Sequence, residues 1–119
     1  MARILLADDD GATRDLVKRA LEADGHQVSA TQDGAEALER LAGGERFDVL
    51  VSDVNMPGLD GISLAERAAA TLPNIAILLM SGFPEELDKA RRIKAASIGT
   101  LSKPFTLEQI KAAVKRVVG

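Results

Sequence analysis

A chain of 119 residues, with 46% hydrophobic and 28% charged residues, has the size and composition of one soluble globular domain, so we expect a single domain over residues 1–119. Its net charge of −3, without a basic block, gives no support to nucleic-acid binding, and the lack of cysteine excludes disulfides and thiolate chemistry. No apolar run is long enough to cross a membrane and the chain begins with a strand-like segment instead of a signal peptide, so we expect a cytoplasmic protein without membrane contact.

The chain alternates between short apolar segments and segments with helix signals. The segments typical of strands are, in chain order, residues 3–7, 27–31, 47–51, 75–80 and 98–102. The segments typical of helices are about 13–24, 34–41, 62–71, 84–95 and 107–117. Strands that are apolar throughout are buried on both faces, so we expect a parallel sheet covered by helices on each side, with right-handed connections. The sequence therefore predicts one three-layer α/β domain.

The helix starts carry recognisable capping signals. Asp10 is well placed to cap the first helix. Two pairs have the spacing of a capping box, Asp33 with Glu36 and Thr106 with Gln109. The fourth helix begins at Pro84-Glu85-Glu86, with proline in the first turn and acids against the helix dipole.

Polar side chains follow the strands at one end of the predicted sheet. Asp8 and Asp9 follow the first strand, Asp53 the third, Ser81 the fourth and Lys103 the fifth. The carboxyl ends of parallel strands share one edge, where open α/β sheets build their sites. Each residue taken singly also suits a solvated loop or a turn. That interpretation is harder to hold for all of them together.

The third strand stops at a turn directly after Asp53. Pro57 cannot donate to a strand ladder and Gly58 permits the turn, so Asp53 lies where a buried strand reaches the surface. Gly61 begins the next helix. We expect Pro57 and Gly61 to be structural residues of this turn.

Electrostatics indicates what such an edge requires. Two carboxylates about 4 Å apart repel by roughly 4 kcal/mol at an effective dielectric near 20, and one lysine does not offset three of them. A hard divalent cation does, and Mg²⁺ fits best because it takes one or two carboxylates and keeps waters for an incoming phosphate. A site of carboxylates, Mg²⁺, a lysine and a hydroxyl has the parts for phosphoryl transfer to a carboxylate, which gives an acyl phosphate. The only histidine, His26, lies in the weak second strand, where we expect it to be exposed and outside the site.

Four segments resemble the signatures of the response-regulator receiver domain, a family that includes the chemotaxis protein CheY. They are Leu6-Ala7-Asp8-Asp9-Asp10, residues 53–61, Ser81-Gly82 and Lys103-Pro104-Phe105. The resemblance covers residues 3–118. It implies a flavodoxin-like, doubly wound (βα)5 fold whose five-stranded parallel sheet has the order 2-1-3-4-5.

The resemblance also implies roles for the acidic residues. Asp53 is the expected phosphorylation site. Asp9 and Asp53 are the expected direct ligands of Mg²⁺ (or Mn²⁺), with Asp8 acting mostly through water. The backbone carbonyl of Asn55 is the expected third protein ligand.

The remaining signature residues are expected to bind the phosphoryl group, with one departure from the family pattern. Ser81 would hydrogen-bond the phosphoryl group and Lys103 would pair with it, followed by Pro104 through a peptide bond that is often cis in this family. Receivers usually carry an aromatic residue three places before the lysine, which turns inward when the serine or threonine moves toward phosphate. Here that position is Thr100, so the aromatic half of the switch is missing. The small side chain could leave a cavity that Phe83 or a partner's side chain fills, or it could simply suit a strand.

The resemblance implies a response regulator of two-component phosphorelay signalling, a phospho-acceptor and not an enzyme. Because no output domain follows the fifth helix, we expect either a stand-alone receiver, which the ending favours, or a receiver excised from a larger regulator. The phosphoryl group would come from a histidine kinase or a histidine phosphotransfer protein. The output would be a protein bound to the basic surface of the fourth helix, fifth strand and fifth helix, although a solvated face explains those charges equally well. Residues 81–83 and 101–105 look most similar to the CpdR type, which governs regulated proteolysis, so the output partner could be a protease or its adaptor machinery.

Two alternatives stay open. One is a phosphate sink that drains a kinase without any binding output. The other is a phosphatase or phosphotransferase that works through an aspartyl phosphate. Against the second, Asn55 stands two residues beyond Asp53, where a second acid would be needed, and no insertion forms a substrate pocket.

Overall fold

Strands and helices alternate along the whole of residues 1–119, which a computed structural model describes. The strands are β1 (Arg3–Ala7), β2 (Gln27–Thr31), β3 (Val49–Asp53), β4 (Ala76–Ser81) and β5 (Ser97–Ser102). The helices are α1 (Gly11–Ala23), α2 (Gly34–Ala42), α3 (Gly61–Thr71), α4 (Pro84–Asp88), which continues into a 3₁₀ turn at Lys89–Arg92, and α5 (Leu107–Val118). None of the helices is both long and apolar enough to cross a membrane.

The strands form one parallel sheet in the order β2-β1-β3-β4-β5. This confirms the predicted α/β fold and its strand order. Every residue of β3 and β4 is buried, because helices cover both faces of the central strands. The physical basis is the one that the sequence indicated: uninterrupted apolar strands leave no face for water.

Two hydrophobic clusters fill the space between the sheet and its helices. On one face, the side chains of α1 and α5 pack on the sheet. The largest fully buried residues of this cluster are Ile4, Leu6, Leu21, Leu78, Met80 and Ile110. On the other face, α2, α3 and the 3₁₀ turn pack on the sheet. The largest fully buried residues of this cluster are Leu5, Leu50, Leu64, Ile75, Ile77 and Leu79. The two clusters fix the strand ends relative to one another, which is what positions the polar residues that follow them.

Side-chain caps hold most helix starts as predicted. Asp10 accepts the backbone N–H of Thr13, and Thr106 with Gln109 forms both hydrogen bonds of a capping box. Asp33 caps α2 by accepting the backbone N–H of Glu36, but the predicted capping box is incomplete because Glu36 does not accept the backbone N–H of Asp33. The start of α4 differs, because Phe83 stands at its N-cap and makes no side-chain capping hydrogen bond.

Some predicted boundaries were wrong. The predicted third strand, 47–51, is shifted to Val49–Asp53, so Asp53 is the last residue of the strand and not a residue after it. Ser81 is likewise the last residue of β4. The ladder extends this far because Asp53 pairs with Met80, and Ser81 with Ser102, on the neighbouring strands. Both polar residues are therefore fixed by strand pairing.

The fourth helix is shorter than predicted. The predicted helix over 84–95 ends at Asp88 and gives way to a 3₁₀ turn that ends at Arg92. The reason is the poor apolar face of the segment: α4 contains no fully buried side chain, Leu87 is only partly buried against the core, and the buried Ala90 and Ile93 follow the helix. A helix needs a buried apolar stripe to continue, and this segment lacks one.

His26 is half-buried, so the expectation that it is exposed was wrong. Its Nδ1 accepts the backbone N–H of Ala2 at 3.0 Å. The contact forms because β2 starts beside β1, where Arg3 pairs with Gln27. His26 therefore belongs to the amino end of the sheet, opposite the predicted site.

Candidate functional site

Three of the predicted site residues meet at the carboxyl end of the sheet. Asp8 follows β1 and is fully buried, and Asp53 ends the neighbouring strand β3 and is 7% exposed. Lys103 follows β5, two strands beyond β3, and its side chain reaches back across the end of the sheet. Its Nζ lies 3.4 Å from Oδ2 of Asp8 and 3.3 Å from Oδ2 of Asp53. The fold thus brings together residues that are far apart in the chain.

Asp9 completes an acidic group at this edge. It is exposed, and one carboxylate oxygen from each of Asp8, Asp9 and Asp53 lies within 4.8 Å of the others. We call these three acids together with Lys103 the carboxylate rim. At such distances each pair of charged carboxylates repels by about 3 to 4 kcal/mol at an effective dielectric near 20, and a single ammonium group offsets only part of this.

The carboxylate rim fits a hard divalent cation. Its donors are all carboxylate oxygens, which Mg²⁺ and Mn²⁺ prefer, and they lie close enough for one ion to face several of them. Two of the three acids are buried, so water alone does not screen their repulsion. The chemistry of the donor set therefore agrees with the predicted magnesium site.

Two carboxyl groups of the rim, those of Asp8 and Asp53, have pKa values that are shifted toward the neutral form. Burial raises the pKa of Asp53 to about 6, against the attraction of Lys103, and the nearby charge of Asp8 adds to the rise. Burial also raises the pKa of Asp8, although the backbone N–H of Asp10 and the ammonium of Lys103 act in the opposite direction. A cation at the rim would favour the charged, nucleophilic form of Asp53.

The hydroxyl of Ser81 is bound to α4 and not to the carboxylate rim. Its Oγ lies 2.5 Å from Oε1 of Glu86 and accepts the backbone N–H of Phe83 at 3.0 Å. The same Oε1 of Glu86 accepts the side-chain amide of Asn55 at 3.1 Å. We call these two contacts of Glu86 the Glu86 bridge. It joins the end of β4, the loop after β3 and the first turn of α4.

The turn between β3 and α3 is fixed by its backbone. Gly58 has φ of +75°, a conformation that glycine adopts at little cost, and it follows the exposed Pro57. The backbone N–H of Gly61 donates to the carbonyl of Val54 at 2.9 Å. A Cβ at Gly61 would overlap the backbone carbonyl of Asp53, so glycine is what lets α3 begin this close to the strand.

The segment after β5 is anchored to β4. The backbone N–H of Lys103 donates to the carbonyl of Ser81 at 2.8 Å, which fixes the Cα from which the lysine side chain reaches the rim. The peptide bond between Lys103 and Pro104 is cis, as the family resemblance implied. Ser81 thus supports the rim through its backbone carbonyl, whereas its hydroxyl contacts α4.

Thr100 lies exposed on β5, paired with Leu79 of β4. It lines a cleft of about 230 Å³ between β5 and the α4 region, together with Leu87 and Ile98. Phe83 does not line this cleft and is 53% exposed. The small residue therefore leaves open space, as hypothesised, but Phe83 does not fill it.

Two residues next to the site were missed from the sequence. Glu86 was interpreted only as an acid that faces the helix dipole, whereas its carboxylate contacts Ser81 and Asn55. Arg14 of α1 donates from Nη1 to the backbone carbonyl of Asp8 at 2.9 Å. Arg14 could have been identified from its position in the first turn of α1, which starts just after Asp8 and Asp9. No sequence pattern singled out Glu86 from Glu85.

Comparisons with known proteins agree on one family. The family model described as "Response regulator receiver domain" matches residues 4–115. The chain is 35% identical over 116 residues to the response regulator MprA of Mycobacterium ulcerans, which covers 98% of this chain and 50% of that protein. It thus spans about half the length of the curated relatives it matches.

Solved structures are similar over nearly the whole chain. The chemotaxis response regulator CheY4 of Vibrio cholerae superposes with a TM-score of 0.86 at 32% identity, covering 98% of both chains. A response regulator receiver protein from Sinorhizobium medicae superposes with a TM-score of 0.87 at 30% identity, covering 98% of this chain and 93% of the other.

Proposed function

This chain belongs to the response regulator receiver domains of two-component signalling, and on that premise we propose that Asp53 accepts a phosphoryl group from a histidine kinase or a histidine phosphotransfer protein. The observation that carries the proposal is the position of the Lys103 ammonium, 3.4 Å from Asp8 and 3.3 Å from Asp53. A carboxylate at a strand end beside a fixed cation is the arrangement that phosphoryl transfer to the protein needs.

The transfer forms one bond and breaks one. An oxygen of the Asp53 carboxylate bonds to phosphorus while the N–P bond to the donor's imidazole breaks. The electron pair of that bond stays on the imidazole nitrogen, which takes up a proton from solvent, and Asp53 becomes an acyl phosphate. Lys103, already within 3.3 Å of Asp53, pairs with the phosphoryl oxygens. Later attack of water on phosphorus releases inorganic phosphate and restores the carboxylate, so the chain is an acceptor in each cycle and not an enzyme acting on a separate substrate.

The cofactor that we propose is Mg²⁺ or Mn²⁺. Asp9 and Asp53 would be its direct ligands, with Asp8 acting through water and the backbone carbonyl of Asn55 as the third protein ligand. When bound, the ion neutralises the negative charge of the carboxylates and of the phosphoryl oxygens. The all-oxygen donor set within 4.8 Å supports this assignment.

The output that we propose is a protein partner bound to the surface of α4, β5 and α5, in the cytoplasm. The exposed cations of this region are Lys89, Arg91, Arg92, Lys94, Lys115 and Arg116. A basic surface favours an acidic partner and steers its approach. The identity of that partner, including the proteolytic machinery that the CpdR resemblance implies, stays a prediction.

The test is labelling with a small phosphodonor. Purified protein in Mg²⁺ should become phosphorylated by acetyl phosphate at one site, Asp53→Asn should abolish labelling, and chelation by EDTA should strongly reduce it. Asp15→Asn, which removes an exposed acid on α1, is the matched control and should label like wild type. Labelling of Asp53→Asn at full stoichiometry would place the acceptor elsewhere.

A further inference from the structure

Glu86 contacts the one hydroxyl that the proposed phosphoryl transfer needs. Its Oε1 lies 2.5 Å from Oγ of Ser81, while Ser81 itself is 1% exposed. A serine hydroxyl has a single proton to donate. The carbonyl of Phe83 is a poorer acceptor for that proton, since it lies 3.5 Å from the Ser81 oxygen. In this structure Glu86 therefore accepts the hydrogen bond that Ser81 would otherwise donate to a phosphoryl oxygen.

The Glu86 bridge also holds the start of α4. This helix has five residues, none of them buried, and its N-cap residue Phe83 makes no side-chain capping hydrogen bond. The contacts of Glu86 with Ser81 and Asn55 are the side-chain hydrogen bonds that join α4 to the ends of β4 and β3. A change at Ser81 thus reaches α4 directly, without an aromatic residue at position 100.

Space and charge are available for Glu86 in a second position. A cleft of about 210 Å³ lies between α4 and the loop after β3, and Asn55, Ser63, Glu86 and Lys89 are among the residues that line it. Lys89 is exposed, so its ammonium can pair with a carboxylate in this cleft. A phosphoryl group on Asp53 would bring further negative charge toward Glu86 and favour such a move.

We propose that Glu86 is a positioning residue that competes with the phosphoryl group for the hydroxyl of Ser81. In the unphosphorylated protein the Glu86 bridge holds Ser81 and the start of α4 together. On phosphorylation Ser81 donates to a phosphoryl oxygen, the bridge opens, and the start of α4 is released. The inference rests on the proposed phosphorylation of Asp53, and it gives the switch a route through Ser81 and Glu86 in place of the missing aromatic side chain.

The experiment compares two neighbouring glutamates in two backgrounds. Glu86→Ala and Glu86→Gln are made in wild type and in Ser81→Ala, with Glu85→Ala and Glu85→Gln as matched controls, because Glu85 is an exposed acid of the same helical turn without a side-chain hydrogen bond. The initial rate of phosphorylation by acetyl phosphate is measured in Mg²⁺. Hydrogen exchange at the backbone amides of Glu86 and Leu87, which donate to the carbonyl of Phe83, reports on the start of α4.

The expected result is specific to Glu86 and depends on Ser81. Glu86→Ala should raise the phosphorylation rate by roughly tenfold, the scale of losing a partly exposed hydrogen bond to a charged group, and should speed amide exchange at the start of α4. Glu86→Gln keeps a carbonyl acceptor for the hydroxyl and should lie between Glu86→Ala and wild type. The Glu85 variants should match wild type, and in the Ser81→Ala background Glu86→Ala should leave the phosphorylation rate unchanged.

Two results would overturn the inference alone while wild type still labels at Asp53. One is a phosphorylation rate of Glu86→Ala equal to that of Glu85→Ala. The other is an increase that persists undiminished in the Ser81→Ala background, because Glu86 would then act through its charge and not through the hydroxyl. Failure of wild type itself to label would instead overturn the proposed function, and the inference with it.

Discussion

Helices α5 and α4 lie on opposite faces of the sheet beside β5, and different kinds of contact hold them. The 12-residue helix α5 starts with a complete capping box and buries an apolar stripe, whose members are Ile110, Ala113, Val114 and Val117. The five-residue helix α4 buries no side chain and has no side-chain cap, and the Glu86 bridge joins its first turn to Ser81 and Asn55. One helix is held by apolar burial, and the other by polar contacts with site residues.

The difference between the two helices indicates which of them can move when the charge at the carboxylate rim changes. Apolar burial is lost only when the helix leaves the sheet, which costs a large part of the stability of a small domain. A hydrogen bond to a site residue can instead be exchanged for another when the charge at the site changes. Segments with little burial open at low free energy, so α4 is the element that a modification of Asp53 can move.

The test with the largest expected effect on stability truncates one apolar side chain in each of the two helices. Ile110→Ala in α5 should lower the free energy of unfolding by about 2 to 5 kcal/mol, because Ile110 is fully buried. Leu87→Ala in α4 should lower it by about 1 kcal/mol or less, because Leu87 is half-buried. Urea titration followed by circular dichroism measures both values. Equal losses in the two variants would contradict the proposed difference between the helices.

The second test uses pH, since the stripe of α5 contains no titratable group whereas the rim does. The folded state raises the pKa of Asp53 from 3.8 to about 6, so between these values the folded protein binds the proton more tightly than the unfolded chain. The contribution of Asp53 to the free energy of unfolding therefore falls as pH rises through this window, by on the order of 3 kcal/mol in total. Asp53→Asn lacks this titration.

In metal-free buffer, Asp53→Asn should accordingly match wild type near pH 4 and exceed its stability by up to about 3 kcal/mol above pH 6.5. Denaturant titrations of both proteins across this pH range measure the difference. Millimolar Mg²⁺ should narrow the gap at neutral pH, because a ligand that binds only the native state stabilises it. Ile110→Ala should show a loss that does not change with pH. A difference between Asp53→Asn and wild type that is constant from pH 4 to 7.5 would count against a raised pKa of Asp53 in the folded protein.

The test with the smallest expected effect removes the side-chain cap of α5 and introduces one at the start of α4. Thr106→Ala removes the capping box of α5 and should cost about 1 kcal/mol, whereas Phe83→Ser supplies α4 with a capping hydroxyl and should be neutral or stabilising by a few tenths of a kcal/mol. Thermal unfolding of the two variants beside wild type measures the shifts. A stabilising effect of Thr106→Ala would show that the capping box contributes nothing to α5.

Much of the site followed from local patterns because it depends on few structural details. Once the strands are parallel, the residues after them share one edge whatever the helix lengths are. For that reason Asp8, Asp53 and Lys103 could be expected together, and the structure places the ammonium of Lys103 within 3.4 Å of a carboxylate oxygen of each acid. Gly61 could likewise be identified as structural from the turn alone, although the close approach to Asp53 that requires it became visible only in three dimensions.

The interactions of Glu86 were beyond the reach of sequence patterns for a physical reason. Glu85 and Glu86 are equivalent as first-turn acids, and only the exact start and direction of α4 decide which carboxylate reaches Ser81. The length of α4 was misjudged for a related reason, since helix signals at its start say nothing about how much of it the core will cover. The burial of His26 was misjudged because its partner, the backbone of Ala2, lies 24 residues away in the chain, directly before β1.

The sequence by itself determined the α/β fold, the order of its elements and the acidic edge, because hydrophobic periodicity, capping residues and strand ends are properties of neighbouring residues. The tertiary structure alone decided how far β3 and β4 extend, where α4 stops and which acceptor holds the hydroxyl of Ser81. Those outcomes depend on side chains from separate segments that compete for the same partner. The hydrogen bond forms with the group that the packed backbone places within about 3 Å.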